Sequence, residues 1–173
     1  FIGTQKNGAF DIPGELARQW LTQPNPNGRP NSDVIRPWSN GMDITRRPSD
    51  TWIIDFGVAM SEQDAAMFEL PFQYAEKHIK PVRTGKRHTR ASELWWIHEC
   101  ARPGLRNALN SQSKFIGTPR VAKHRLFTWL DTSLLPDCQV VAIARSDDTT
   151  FGILHSRFHE LWALRMGTSL EDR

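Results

Sequence analysis

Three clusters of side chains hold the residue types that could do chemistry. The first is Arg120 to Arg125, which reads RVAKHR. Arg120, Lys123, His124 and Arg125 are of types that could read base edges, and Arg or Lys pairs with the O6 and N7 of guanine for about 1–3 kcal/mol of discrimination. The second gathers Lys80, Arg83, Lys86, Arg87, His88 and Arg90 around Gly85. Cations on an exposed loop chiefly find phosphates, so this cluster is expected to grip a DNA backbone while the first reads bases. The third is His155-Ser156-Arg157-Phe158-His159-Glu160. Two histidines four apart share a helix face and could hold a metal. Zinc-protease chemistry needs Glu directly after the first His, where Ser156 stands, and no third ligand is evident nearby. His98-Glu99-Cys100 is a weaker arrangement of the same kind. Asp55 could serve as a nuclease carboxylate only with a following Glu-x-Lys element, but Glu76 and Lys77 are adjacent. Asp55 is therefore expected to cap a turn or pair with an arginine.

No Gly-x-Gly occurs, and no serine nucleophile elbow is present. The charge distribution points elsewhere. Residues 77–125 carry twelve Lys and Arg against Glu93 and Glu99, a net of +10, while the rest of the chain carries −7. A field so divided draws a polyanion to one face. Aromatic residues (Trp95, Trp96, Phe115, Phe127, Trp129) interleave with the cations, which suits a folded nucleic-acid surface better than a basic tail.

With 173 residues, 39% hydrophobic and 24% charged, the chain can build one domain with a real core or two small lobes. Cys100 and Cys138 cannot form a disulfide framework or a four-thiolate zinc site, which fits a reducing cytoplasm. No run reaches the length of a membrane span, and residues 1–10 lack the shape of a signal peptide. The first methionine is Met42, so the chain reads as an excised segment of a longer parent.

The elements expected to position these clusters follow from the pattern. Residues 1–12 form an opening strand or loop, with Asn7-Gly8 a turn. A short helix spans Glu15 to Leu21, and a long structured loop runs from Asn25 to Asp50. Thr51 to Val58 is a buried strand. Ser61 to about His78 is helical, opened by a Ser61/Asp64 capping box, with Pro71 kinking or breaking it. Lys80 to Ser92 is an exposed loop, Glu93 to Ala101 a helix bearing two tryptophans, and Gly104 to Asn110 a further helical turn. Lys114 to Thr118 and Leu126 to Leu130 are strands flanking the loop Pro119 to Arg125. Gln139 to Arg145 is another strand, and a final helix runs from Thr150 to Met166. Strands and helices do not alternate, so the fold class is α+β: a mixed β-sheet with flanking helices and long structured loops.

Five blocks in order carry a resemblance: WIIDFG (Trp52 to Gly57), PFQY with KPVR (Pro71 to Arg83), Trp95-Trp96, TPRVAKHRLFTWL (Thr118 to Leu130) and FGILHSRFHELWALRMG (Phe151 to Gly167). Together they resemble the target recognition domain of single-chain type II restriction-modification enzymes of the MmeI-like class, over nearly the whole chain. Those enzymes fuse a nuclease, an N6-adenine DNA methyltransferase and a DNA-reading domain. The methyltransferase signature, Asn- or Asp-Pro-Pro-Tyr or -Phe, is absent here; Asn25-Pro26-Asn27-Gly28 does not fit it. The resemblance implies one recognition domain over residues 1–173, with 1–20 and 167–173 as junctions toward a methyltransferase domain. It implies no catalysis in this segment, double-stranded DNA as partner, and S-adenosylmethionine, with Mg2+ if a nuclease is present, bound elsewhere in the parent. It also implies specificity set by Arg120, Lys123, His124 and Arg125. Two other classes stand beside it. One is a metal-dependent nuclease or hydrolase using His155, His159 and Glu160. The other is a protein-interaction domain whose basic face meets an acidic partner.

Overall fold

The computed structural model describes residues 1–85 and 90–167. In chain order the strands are β1 (Asp11–Pro13), β2 (Ile35–Ser39), β3 (Thr51–Ile54), β4 (Lys114–Pro119), β5 (Thr128–Asp131), β6 (Leu135–Pro136) and β7 (Val140–Ile143). The helices are α1 (Gly14–Leu21), α2 (Gly41–Thr45), α3 (Glu62–Ala66), α4 (Glu69–His78), α5 (Lys80–Thr84), α6 (Arg90–Glu93), α7 (Pro103–Leu109), α8 (Asp148–His155) and α9 (Arg157–Met166). The fold is α+β, as the irregular order of elements implied. The chain divides into two compact units: one of Phe1–Gly3, Ser39–Pro48 and Gly104–Arg173, the other of Thr4–Trp38 and Ser49–Pro103. Among the described residues no helix is long and apolar enough to cross a membrane.

In the unit of Thr4–Trp38 and Ser49–Pro103, β3 is central, pairing antiparallel with β1 and β2. Ile53 and Ile54 are both fully buried, so β3 is covered on both faces. The strand ends at Ile54, short of the expected Val58. There the Asp55 carboxylate accepts from the Gly57 N–H at 3.1 Å, and Gly57 turns the chain at φ +76°. Arg36 lies 3.8 Å from the same carboxylate. Asp55 thus caps a turn and meets an arginine.

Several sequence expectations need correction. The stretch from Asn25 to Asp50 is no loop throughout: it contains a 3-10 turn at Asn31–Asp33, β2 and α2. Buried Asn31 organises its start, accepting from Asn25 Nδ2 at 2.9 Å and donating to the Trp20 carbonyl at 2.7 Å. The helix expected over 61–78 is two. Ser61 caps α3 by accepting from the Asp64 N–H, and the chain breaks at Phe68, whose φ/ψ of −95°/77° leaves the helical region. Pro71 then sits in the first turn of α4, where no N–H is needed. Lys80–Thr84 is helical rather than looped, because Pro81 is compatible with a first turn. Of the helix expected over Glu93 to Ala101 only Glu93 is helical, as the last residue of α6. Trp95 and Trp96 are buried in irregular chain, and their indoles donate to Glu62 and to the Met60 carbonyl.

In the unit of Phe1–Gly3, Ser39–Pro48 and Gly104–Arg173, β4 is central between β5 and β7. Phe1–Gly3 runs alongside β7, with Phe1 and Ala142 exchanging two hydrogen bonds of 2.8 Å. Leu105, Leu109, Phe115 and Ala142 form the core, with Leu130, Leu134 and Ala144 against it. The final helix also divides in two. Ser156 is extended (φ −70°, ψ 150°), ends α8 and caps α9 by accepting from the His159 N–H.

Candidate nucleic-acid interface

The RVAKHR cluster occupies the connection between antiparallel neighbours β4 and β5, residues 120–127. Both ends of this connection are pinned. At its start the Arg120 N–H donates to the Gln139 carbonyl at 2.7 Å. Near its end Arg125 Nη2 donates to the Ala163 carbonyl of α9 at 2.7 Å, and the Phe127 carbonyl lies 3.2 Å from His155 Nε2. The Phe127 ring packs edge-on to His155 and His159, at centroid distances of 5.7 and 5.6 Å. Between these anchors the side chains of Lys123 and His124 are exposed, as is that of Arg120. A short loop held at both ends keeps exposed donors in a fixed geometry, which base readout requires.

Behind the loop lies a cleft of about 370 Å3, lined by Lys123, His124, Arg125 and Phe127 from the loop and by Leu154, His155, Glu160 and Leu164 from α8 and α9. The sequence clusters 120–125 and 155–160 therefore meet, which their separation in the chain concealed. The two histidines are engaged with backbone: His155 at Phe127, and His159 Nδ1 at the Leu154 carbonyl, 2.9 Å away. Glu160 accepts from Arg157 at 2.6 Å. Because Ser156 breaks the helix, the four-residue spacing no longer places the histidines on one helix. Among the described residues no group of three or more His, Cys, Asp or Glu is disposed to hold a metal.

The second cluster fares differently. Lys86, Arg87 and His88 lie outside the described residues, and Arg90 is exposed at the start of α6. Lys80 is hydrogen-bonded to Glu76 at 2.8 Å, which raises its ammonium above the usual range; Glu62 is 3.9 Å away and the Trp95 ring 4.8 Å. Arg83 corrects the expectation outright. Its side chain is buried, residue exposure being 4%. Four of its N–H groups go to the carbonyls of Lys6, Asn7, Trp95 and Ile97. Burial lowers its pKa, opposed in part by Glu99. Such a guanidinium is a structural tie, with four of its five N–H groups spent on backbone carbonyls.

The basic middle of the sequence is also dealt out in an unexpected way. Of its twelve cations, seven fall in the unit of Thr4–Trp38 and Ser49–Pro103, which holds eleven basic and eleven acidic residues and is neutral. The other unit holds eleven basic and eight acidic residues, the whole of the formal +3. Arg46, Arg47, Arg120, Lys123 and Arg165 there are exposed, and none has an ion pair or side-chain hydrogen bond to another described residue. Arg46 and Arg47 sit outside the basic run, as an Arg-Arg pair before Pro48.

No protein-family model matches the chain, and no curated protein matches it in sequence. Among solved structures, that of the Type IIL restriction-modification enzyme MmeI in complex with DNA matches 99% of this chain with a TM-score of 0.73. Sequence identity is 16%, and the chain spans 22% of that enzyme's length. At this identity the likeness establishes a shared fold.

Proposed function

We propose that this chain is a target recognition domain: a sequence-specific reader of double-stranded DNA serving an N6-adenine DNA methyltransferase of a restriction-modification system, whose catalytic parts lie outside these residues. The observation that carries this reading is the likeness of almost the whole chain to a segment of MmeI, an enzyme whose structure was solved with DNA. Methylating an adenine amino group requires extruding the base, at a few kcal/mol of lost stacking and pairing. A separate domain that grips the duplex supplies binding energy for that distortion and selects which sequences receive it.

In this reading Arg120, Lys123 and His124 meet base edges from the pinned loop, and Arg125 orients it. Arg90, with Lys86, Arg87 and His88, holds phosphates. Lys80 joins them only by leaving Glu76 and Glu62. S-adenosylmethionine, and Mg2+ where a nuclease is present, belong to the other parts of the enzyme, in the cytoplasm. The exposed apolar residues of α9 (Phe158, Leu161, Trp162 and Leu164, each more than half exposed) support a contact with the methyltransferase part, since such patches mark protein interfaces.

A Lys123→Ala variant tests the assignment. Titrated against duplexes differing at single positions, it is expected to lose about 1–3 kcal/mol of discrimination at one base pair. An equal loss of affinity on every duplex would make Lys123 a phosphate contact instead.

A further inference from the structure

We infer that Arg46 and Arg47 form a second DNA-backbone contact, beside the reading loop, through which the duplex is held against this unit. The inference rests on the proposed DNA reading. Its basis is placement. Helix α2 packs along β4, the strand that leads into the loop: a Cβ built on Gly41 would lie 3.3 Å from the Gln139 carbonyl and 3.6 Å from Pro119 Cβ. The same Gln139 carbonyl receives the Arg120 N–H. Further along, Ile44 Cδ1 lies 3.7 Å from the position of a Cβ on Gly117 in β4. The first residue of α2 therefore abuts the root of the loop. A five-residue helix is only about 7.5 Å long, so Arg46, immediately after it, lies within a few phosphates' reach of Arg120. Duplex DNA carries one negative charge per about 1.7 Å of axis.

Side-chain caps fix the backbone here. Asn40 caps α2 by accepting from the N–H groups of Met42 and Asp43, and Asp43 returns a bond to the Asn40 N–H. Arg46 closes the helix by donating its N–H to the Met42 carbonyl and leaves it extended, at φ −134° and ψ −166°. Pro48 restricts Arg47 to extended conformations as well. The chain bends at Arg46 and Arg47 as it leaves α2, so the pair stands at a turn of the surface with both residues exposed. Both are exposed, neither is ion-paired to a described residue, and both belong to the unit that carries the net charge. A polyanion backbone is the partner that such a pair fits.

The test compares the wild-type chain, Arg46→Gln/Arg47→Gln, and a control, Arg18→Gln/Arg29→Gln, which removes two cations already paired with Asp50 and Asp33. Binding to a pool of random-sequence duplexes is followed over a range of salt, with melting temperatures checking the fold. With two phosphate contacts removed, the R46Q/R47Q slope of log K against log salt is expected to become shallower by about 1.8. Relative preference among duplexes should stay unchanged, and the control should keep the wild-type slope. A wild-type slope in R46Q/R47Q would overturn the inference while leaving the DNA reading standing. An equal loss in the control would overturn it too, by assigning the effect to net charge. No salt-sensitive retention of duplex by the wild type would overturn the DNA reading, and the inference with it.

Discussion

Arg83 shows how little residue type reveals about role. In the sequence it stands among six basic residues and reads as one more phosphate contact. In the fold its guanidinium joins two segments of chain, residues 6–7 and 95–97, by four hydrogen bonds, with the Phe10 ring 5.0 Å from Cζ. Arg83→Ala should cost about 3–5 kcal/mol in denaturant unfolding, because buried carbonyls lose their donors. Arg83→Lys should recover only part of that, since an ammonium cannot reproduce the fork. A neutral result for Arg83→Ala would return the residue to the DNA-binding set. Asp147 makes a second prediction at this scale. It caps α8, and bonds from the Thr150 N–H, from Arg145 and from the Thr150 hydroxyl hold its pKa down to about 2 from 3.8. A depressed carboxylate pKa stabilises the fold above the unfolded value, and that stability is lost as pH falls through the folded one. The wild type should therefore lose its stability advantage over Asp147→Asn between about pH 4 and pH 2. An advantage unchanged to pH 2 would contradict the cap's charge.

The elements were legible where a local signal governs and obscure where tertiary partners decide. The strands around Phe115 and Trp129, the cap at Ser61 and the α+β class could be read from alternation, capping residues and the order of elements. The break at Phe68 could not, because Pro71, the evident breaker, turned out to open a helix. Nor could the break at Ser156, whose hydroxyl serves α8 and α9 together: it donates to the Ile153 carbonyl while accepting from the His159 N–H. The loop between β4 and β5 was bounded nearly correctly, yet its anchors on α9 and at Gln139 are long-range and leave no trace in local pattern. Those anchors distinguish Arg125 from Lys123. Arg125→Ala should free the loop, so that hydrogen exchange across 121–126 accelerates and base preference blurs at several positions. Unchanged exchange with a change at one position alone would make Arg125 a base reader in its own right.

At the scale of the whole molecule, the basic run that dominates the sequence is shared between the two compact units. The structure divides it between a unit that neutralises its share and a unit that keeps a net positive charge alongside the pinned loop. The likeness to MmeI covers both units, and the proposed DNA-reading role rests on that likeness together with the loop's geometry. The most direct measurement is selection of randomised duplexes by this chain at moderate salt, followed by sequencing of what is retained. Enrichment of one motif of several base pairs is expected, diminished by Lys123→Ala at a single position within it. Retention without any enriched motif, by a chain shown to be folded, would contradict sequence recognition and leave only a grip on the backbone.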